Sequence, residues 1–200
     1  MKLMLENLSK IFPGRRVFEN ITESIEGKGT LVITGPNGSG KTTLLNVICS
    51  VLPASSGKVI FEHQSQSYSG AELLPHIGLV SPDLYLYDEL TANENLIFFA
   101  KISGIENIDY NERLTRFGLE GRGDDLVRSF SSGMKQRLKY ILALLRQPPL
   151  LVLDEPSANL DDTGKQVVRE IISGHEGITI IATNEKDELS YATRTIELAK

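Results

Sequence analysis

What the chain lacks bounds it first. It has one cysteine, Cys49, in 200 residues, so no internal disulfide can staple the fold, and a reducing compartment fits. Cys49 falls in an apolar helical pattern and reads as core packing rather than a redox group. No apolar run approaches the roughly 20 residues that cross a bilayer; the longest lies around Leu150 to Leu153. The segment Met1 to Ser9 carries Lys2 and Glu6 and no signal-peptide apolar core, so the chain is expected to stay where it is made. Excess positive charge is also missing. With 21 Lys and Arg against 26 Asp and Glu, the formal net charge of −5 offers no electrostatic footprint for duplex nucleic acid, and no nucleic-acid partner is expected. Repeats and low-complexity tracts are absent. What remains is an ordinary globular composition, 40% apolar and 24% charged, in a chain long enough to bury a sizeable core.

Hydrophobic periodicity organises the chain into two kinds of region. Strand patterns at Lys2 to Leu8 and Phe18 to Ile25 suggest an antiparallel β region at the start. Thr30 to Thr34 is a short apolar strand of the doubly buried kind, and from Lys41 the spacing of Leu44, Leu45, Val47, Ile48 and Val51 predicts a helix ended by Pro53 and Gly57. Strands follow at Lys58 to Glu62 and Ile77 to Ser81, with a polar stretch from His63 to Gly70 between them. Thr91 with Glu94 forms a capping box opening a helix that stops near Gly104. Further helices are predicted at about Asn111 to Phe117, with Gly118 in the left-handed region, and from Gly133 onward. Leu150 to Asp154 is again a buried strand, followed by a helix at Thr163 to Ser173 and strands at Ile178 to Ala182 and Thr193 to Leu198. Apolar strands alternating with helices argue for a mostly parallel sheet. The expected organisation is one domain over 1–200, with an α/β core at 1–82 and 147–200 and an inserted helical lobe at about 83–146.

The strongest chemical signal is Gly35-Pro36-Asn37-Gly38-Ser39-Gly40-Lys41-Thr42-Thr43, set between a predicted strand and a predicted helix. It satisfies G-x-x-x-x-G-K-[ST]. Glycines let successive backbone N–H groups face a phosphate, and the helix N-terminus adds its positive end. Lys41 then brings a full charge to the β- and γ-phosphates, and the Thr42 hydroxyl can ligate Mg²⁺. Asp154 and Glu155 close the buried strand at 150–154, where ligands collect in open α/β sheets. An acidic pair there suits a Mg²⁺ ion, held by Asp154, and an attacking water, activated by Glu155 as general base.

With these elements in place the chain resembles the ATP-binding subunits of ABC (ATP-binding cassette) transporters over nearly its whole length, from about Leu3 to Ile196. The resemblance implies an α/β fold with a P-loop NTPase core, a mostly parallel sheet, an N-terminal antiparallel β region and an inserted helical lobe. Phe130-Ser131-Ser132-Gly133-Met134-Lys135-Gln136-Arg137 is similar to the family's signature L-S-G-G-Q with its basic tail, although only the Ser and the second Gly match outright. By this resemblance Ser131 and Gly133 complete the ATP site of a second subunit, so that a homodimer or heterodimer closes around ATP. Their position at the start of an amphipathic helix agrees with anion binding. Ser157-Ala158-Asn159-Leu160-Asp161 is similar to the D-loop at the dimer interface, and Phe12 matches the aromatic residue that stacks on adenine.

Two positions depart from the family pattern. Pro82 stands where the Q-loop glutamine is expected, with Asp83 beside it; either Asp83 takes over the metal contact or the link works without one. Asn184, in Thr183-Asn184-Glu185, replaces the switch histidine and can donate a hydrogen bond to a γ-phosphate but cannot carry a proton. His63, His76 and His175 sit at no equivalent place and read as solvent-facing or loop residues. Because Lys41, Thr42, Asp154 and Glu155 are all present, an active ATPase is expected, at a slow rate if the departures matter. The implied role is ATP hydrolysis that powers transport through separate membrane permease subunits, with the chain cytoplasmic and peripheral to the inner membrane. Leu84-Tyr85-Leu86-Tyr87-Asp88-Glu89-Leu90 is the expected coupling surface. The competing readings are a soluble non-transport ABC ATPase and a regulatory nucleotide-binding module with little turnover. The short length is similar to that of subunits of the haem-export and cytochrome c maturation type.

Overall fold

The computed structural model describes residues 1–158 and 160–199; Asn159 of the D-loop-like tract and the terminal Lys200 lie outside the described residues. The chain divides into two compact units, one made of Met1–Leu79, Pro149–Pro156 and His175–Lys200, the other of Val80–Pro148 and Ser157–Gly174.

The first unit opens with two strands longer than their hydrophobic pattern suggested, β1 (Lys2–Phe12) and β2 (Arg15–Glu26), paired antiparallel. The register shifts between Leu5 and Leu8, Leu8 and Lys10, and Lys10 and Ile11, the mark of bulges that interrupt strict in-out alternation. Two later strands extend this sheet, β4 (Ser56–His63) and β5 (Gln66–Ser69), giving the order β2-β1-β4-β5. The polar stretch after His63 therefore contains a strand. Gln64 and Ser65 both take positive φ, 50° and 63°, and so form a tight hairpin turn without the Asn-Gly or Asp-Gly pair that usually signals one.

The second sheet combines β3 (Gly29–Thr34), β6 (Ile77–Val80), β7 (Leu150–Asp154), β8 (Ile178–Ala182) and β9 (Arg194–Glu197) in the order β6-β7-β8-β3-β9. β3 runs parallel to both β8 and β9, and β7 parallel to β8. Every residue of β7 and β8 is buried, as expected of parallel strands made of continuous Leu, Val and Ile. Helix α1 (Lys41–Ile48) adds Leu44, Leu45, Val47 and Ile48 to the core formed with Leu31, Ile33, Val152 and Ile180. It ends earlier than its apolar pattern predicts. Ser50 adopts φ 58°, and the N–H groups of Val51 and Leu52 fold back onto Asn46 O, which leaves Val51 exposed. Cys49 caps this helix in full burial, and burial pushes its thiol up to about 12, which fits packing rather than reactivity.

The second unit is helical: α2 (Ala92–Ile102), α3 (Tyr110–Arg116), α4 (Ser132–Ala143) and α5 (Asp162–Gly174). Thr91 and Glu94 form the reciprocal capping box, with bonds of 3.1 and 2.8 Å, and Gly118 has φ 66° after α3. Asn95, a polar residue that the apolar pattern of α2 does not flag, is fully buried. Its amide bonds Tyr87 N at 2.9 Å, Tyr87 O at 3.0 Å and Thr91 O at 2.9 Å, tying down the approach to the helix.

Candidate functional site

The phosphate loop joins β3 to α1, and two of its glycines are required by their surroundings. Gly35 has φ 145°, and a Cβ there would lie 2.3 Å from Leu198 O; Gly40 has φ 105°, and a Cβ there would lie 2.4 Å from Val17 Cγ1. The loop thus winds tightly enough to bring Lys41 Nζ within 2.8 Å of Gly35 O, with the lysine only 6% exposed. Ser39 is buried, and its Oγ has no hydrogen-bond partner among the described residues. A buried hydroxyl without a protein partner in a phosphate-type loop suits a phosphate oxygen.

β7 delivers the acidic pair to the same end of the sheet. Thr42 Oγ1 donates to Asp154 Oδ2 at 2.7 Å, joining residues 112 apart in sequence. These two oxygen groups fit Mg²⁺, a hard cation that shares its shell with nucleotide phosphates. Among the described residues no group of three or more His, Cys, Asp or Glu side chains is arranged to hold a metal, so an ion at Thr42 and Asp154 would complete its coordination with phosphate and water oxygens. Glu155 follows in the left-handed region, φ 47°, with its N–H donating to Ala182 O at 2.9 Å. That conformation is uncommon for a residue with a side chain and turns the exposed carboxylate toward the phosphate-loop cleft, which it lines.

The cleft has a volume of about 330 Å³ and is lined by Phe12, Arg15, Val17, Asn37, Gly38, the stretch from Gly40 to Thr43 and Glu155. Phe12 stands at its rim, 39% exposed, with Lys10 Nζ 4.9 Å from its ring centroid. Arg15 and Val17 were not foreseen. Arg15 Nη2 donates to Gly38 O at 2.8 Å, and only its nearness to Phe12 in sequence could have marked it. Asn184 reaches the site from the end of β8. Its amide satisfies its neighbours when the oxygen accepts from Lys41 Nζ at 3.0 Å and the nitrogen donates to Gly35 O at 2.6 Å; the Asn37 amide lies 2.9 Å away. The structure therefore brings together Phe12, Lys41, Thr42, Asp154, Glu155 and Asn184 in the first unit.

Ser131, Gly133 and Asp83 lie in the second unit. Ser131 caps α4, its Oγ accepting from Met134 N at 3.2 Å, and Gly133 sits in the first turn. Asp83 is exposed and close enough to Lys139 to favour its charged form. Of the expected coupling segment, Tyr85 and Tyr87 are exposed, whereas Leu86 is buried and anchors the segment inward. The reading of the histidines as solvent-facing or loop residues holds for His175, which lies in the loop between α5 and β8, and needs correction for His63 and His76. His63 and His76 are half-buried in a ring cluster with Phe61 and Tyr68, the Tyr68 and His76 centroids being 4.1 Å apart, because the unforeseen strand β5 folds back against β4. His175, also half-buried, sits 3.2 Å from Thr179 Oγ1.

A glycine loop around a buried lysine, a Thr–Asp pair at the helix start and a carboxylate one residue past the acidic strand end define a P-loop nucleotide triphosphatase domain. Residues 18–158 match the family model described as ABC transporter. The linearmycin resistance ATP-binding protein LnrL of Bacillus subtilis is 31% identical over 188 residues, covering 91% of this chain and 60% of the relative. The lantibiotic transport ATP-binding protein SrtF of Streptococcus pyogenes is 33% identical over 184 residues, covering 91% of this chain and 79% of the relative. The chain thus spans less than two thirds of the length of the first of these and about four fifths of the second. Among solved structures, the dimeric bacterial ABC transporter cassette MJ0796 superimposes with a TM-score of 0.82 at 23% identity, covering 98% of this chain and 94% of that one. The chain belongs to the ABC transporter family.

Proposed function

We propose that the chain binds ATP with Mg²⁺, hydrolyses it, and supplies the energy-coupling subunit of a transporter whose cargo passes through separate permease subunits. The single observation that carries this reading is the convergence of Lys41, Thr42, Asp154 and Glu155 at one end of the parallel sheet, with Thr42 and Asp154 hydrogen-bonded at 2.7 Å. The N–H groups from Gly38 to Thr43 cradle the phosphates, and Phe12 stacks on the base. Lys41, bonded to the Gly35 carbonyl before nucleotide arrives, exchanges that partner for phosphate oxygens. Bound by Thr42 and Asp154, Mg²⁺ would neutralise charge on the β- and γ-phosphates. Glu155 accepts a proton from the attacking water as its oxygen bonds to the γ-phosphorus and the bond to the ADP oxygen breaks. Asn184, held at Lys41, takes the role of a neutral hydrogen-bonding sensor of the γ-phosphate.

Ser131 and Gly133 serve the ATP site of a second cassette, so two chains close on two nucleotides and open after hydrolysis. The dimeric state of the similar MJ0796 cassette supports this. Asp83 remains the candidate for a metal contact from the segment that carries Pro82. The exposed Tyr85 and Tyr87 form the surface offered to permease subunits, which would hold the chain at the cytoplasmic face of the membrane. No helix among the described residues is long and apolar enough to cross a membrane. Pro82 and Asn184 favour one competing reading, a regulatory module that binds ATP without turning it over.

Phosphate release by the wild type and by Glu155→Gln, with gel filtration of each in ATP and Mg²⁺, separates these readings. The expected result is turnover by the wild type, at least a hundredfold less in the variant, and an ATP-trapped dimer of the variant. ATP binding by the wild type without phosphate release, alone or in native membranes, would favour the regulatory module.

A further inference from the structure

Residues 81–90 link β6 to α2; the second half of the segment is held by Asn95 at Tyr87 and by the N–H groups of Arg128 and Val127, which donate to Asp88 O and Leu90 O at 3.0 Å each, whereas the first half carries the backbone bond from Leu84 N to Ser81 O at 3.1 Å. Two lysines of α4 hold this segment at both ends. Lys139 Nζ donates to Ser81 O at 3.2 Å and Pro82 O at 2.9 Å, and Lys135 Nζ pairs with Asp88 Oδ1 at 2.7 Å. Pro82 has no N–H, so its carbonyl is its one backbone handle. The ammonium group, which can only donate, spends two of its three protons on adjacent carbonyls. Ser131, Lys135 and Lys139 follow at four-residue steps and share one face of α4. That face joins the capping serine at the start of the helix to the segment that exposes Tyr85 and Tyr87.

We propose that Lys139 is a positioning residue that couples the 81–90 segment to helix α4, so that movement of the Ser131 end on ATP binding is transmitted to the exposed tyrosines. The proposal rests on the reading above of Ser131 as an ATP contact in a dimer. Burial lowers the pKa of Lys139, nearby Asp83 raises it and neighbouring Lys135 lowers it, as expected of an ammonium drawn off the surface to reach the two carbonyls.

The test uses the full chain carrying Glu155→Gln, alone and combined with Lys139→Met or Lys139→Arg. Hydrogen exchange is followed in peptides covering 81–90 and 131–143 with and without ATP and Mg²⁺. Dimer formation is read by gel filtration and folding by the melting midpoint. With Lys139 intact, ATP should slow exchange in both peptides. In a folded, dimer-forming Lys139→Met protein, exchange of 81–90 should be several-fold faster and lose its response to ATP, while 131–143 keeps its own. Lys139→Arg, which keeps the charge and the donors, should restore the response. If 81–90 responds to ATP equally in Lys139→Met, or if it fails to respond with Lys139 intact although the dimer forms, the clamp is overturned and the proposed function stands. If ATP induces neither a dimer nor any change, the dimer reading fails and the coupling falls with it. If Lys139→Met does not fold, a failure of Lys139→Arg to respond to ATP in a folded dimer overturns the proposal, and a preserved response supports it.

Discussion

Glu155 offers a test in which stability and catalysis should move in opposite directions. Its φ of 47° places a residue with a Cβ in the left-handed region, at a cost of roughly 1–2 kcal/mol. The bond from Glu155 N to Ala182 O, 2.9 Å, holds the conformation at the strand end, and the exposed side chain adds little packing. Glu155→Gly keeps the backbone bond and removes the strain. Against this gain, glycine loses more freedom on folding, about 0.5–1 kcal/mol. Setting the midpoints of the two ranges against each other leaves a stabilisation of about 0.75 kcal/mol, or roughly 1.5–3 °C in melting midpoint for a chain of this size. Glu155→Gln retains the strain and the shape and should melt with the wild type. Both variants lose the general base, so phosphate release should fall by about 10²–10⁴ in each. Calorimetry or circular dichroism with a phosphate-release assay on the same preparations measures both quantities. The reasoning is refuted if Glu155→Gly melts at or below Glu155→Gln, or if either variant turns over at the wild-type rate.

Asn184→Asp sets a carboxylate about where the amide oxygen lies, 3.0 Å from Lys41 Nζ. Even at the dielectric of water this attraction is about 1.4 kcal/mol, and it competes with phosphate for the lysine, so ATP affinity by fluorescent-nucleotide titration should fall about tenfold or more. His76 predicts a pH effect. Burial first, and then the neighbouring His63, lower its pKa, so the unfolded chain takes up this proton before the folded one. Stability should be lost as pH falls through about 6.5 toward the lowered folded value and level off beneath it. Urea titrations at pH 7.5 and 5.5 should show a smaller acid loss for His76→Gln than for the wild type; equal losses would remove His76 from the account.

Much of the fold was legible because its signals are local. A glycine loop between an apolar strand and a helix, a Thr-x-x-Glu capping box and two continuous apolar strands each act through backbone conformation or burial within a few residues. β5 carries no local signal because Gln64 and Ser65 form a turn without its usual residues, and α1 stops short of its apolar pattern because Ser50 turns left-handed while that pattern continues. The site was legible to the extent that its parts are motifs. Lys41, Thr42, Asp154 and Glu155 belong to tracts whose spacing carries the chemistry, whereas Arg15 and Asn95 are single polar residues whose partners lie in other elements.

The sequence by itself determined which backbone stretches can cradle a phosphate, where helices begin and which strands must be buried, since these depend on neighbouring residues. Only the tertiary structure decided that Thr42 meets Asp154 across 112 residues, that Asn184, though exposed, lies within hydrogen-bond distance of Lys41, and that Lys139 holds the carbonyls of Ser81 and Pro82. For the first two the physical reason is register. Parallel pairing of β3 with β8 and of β7 with β8 aligns the ends of three separate strands, and the side chains at those ends are brought within hydrogen-bond distance by a pairing that no local pattern encodes.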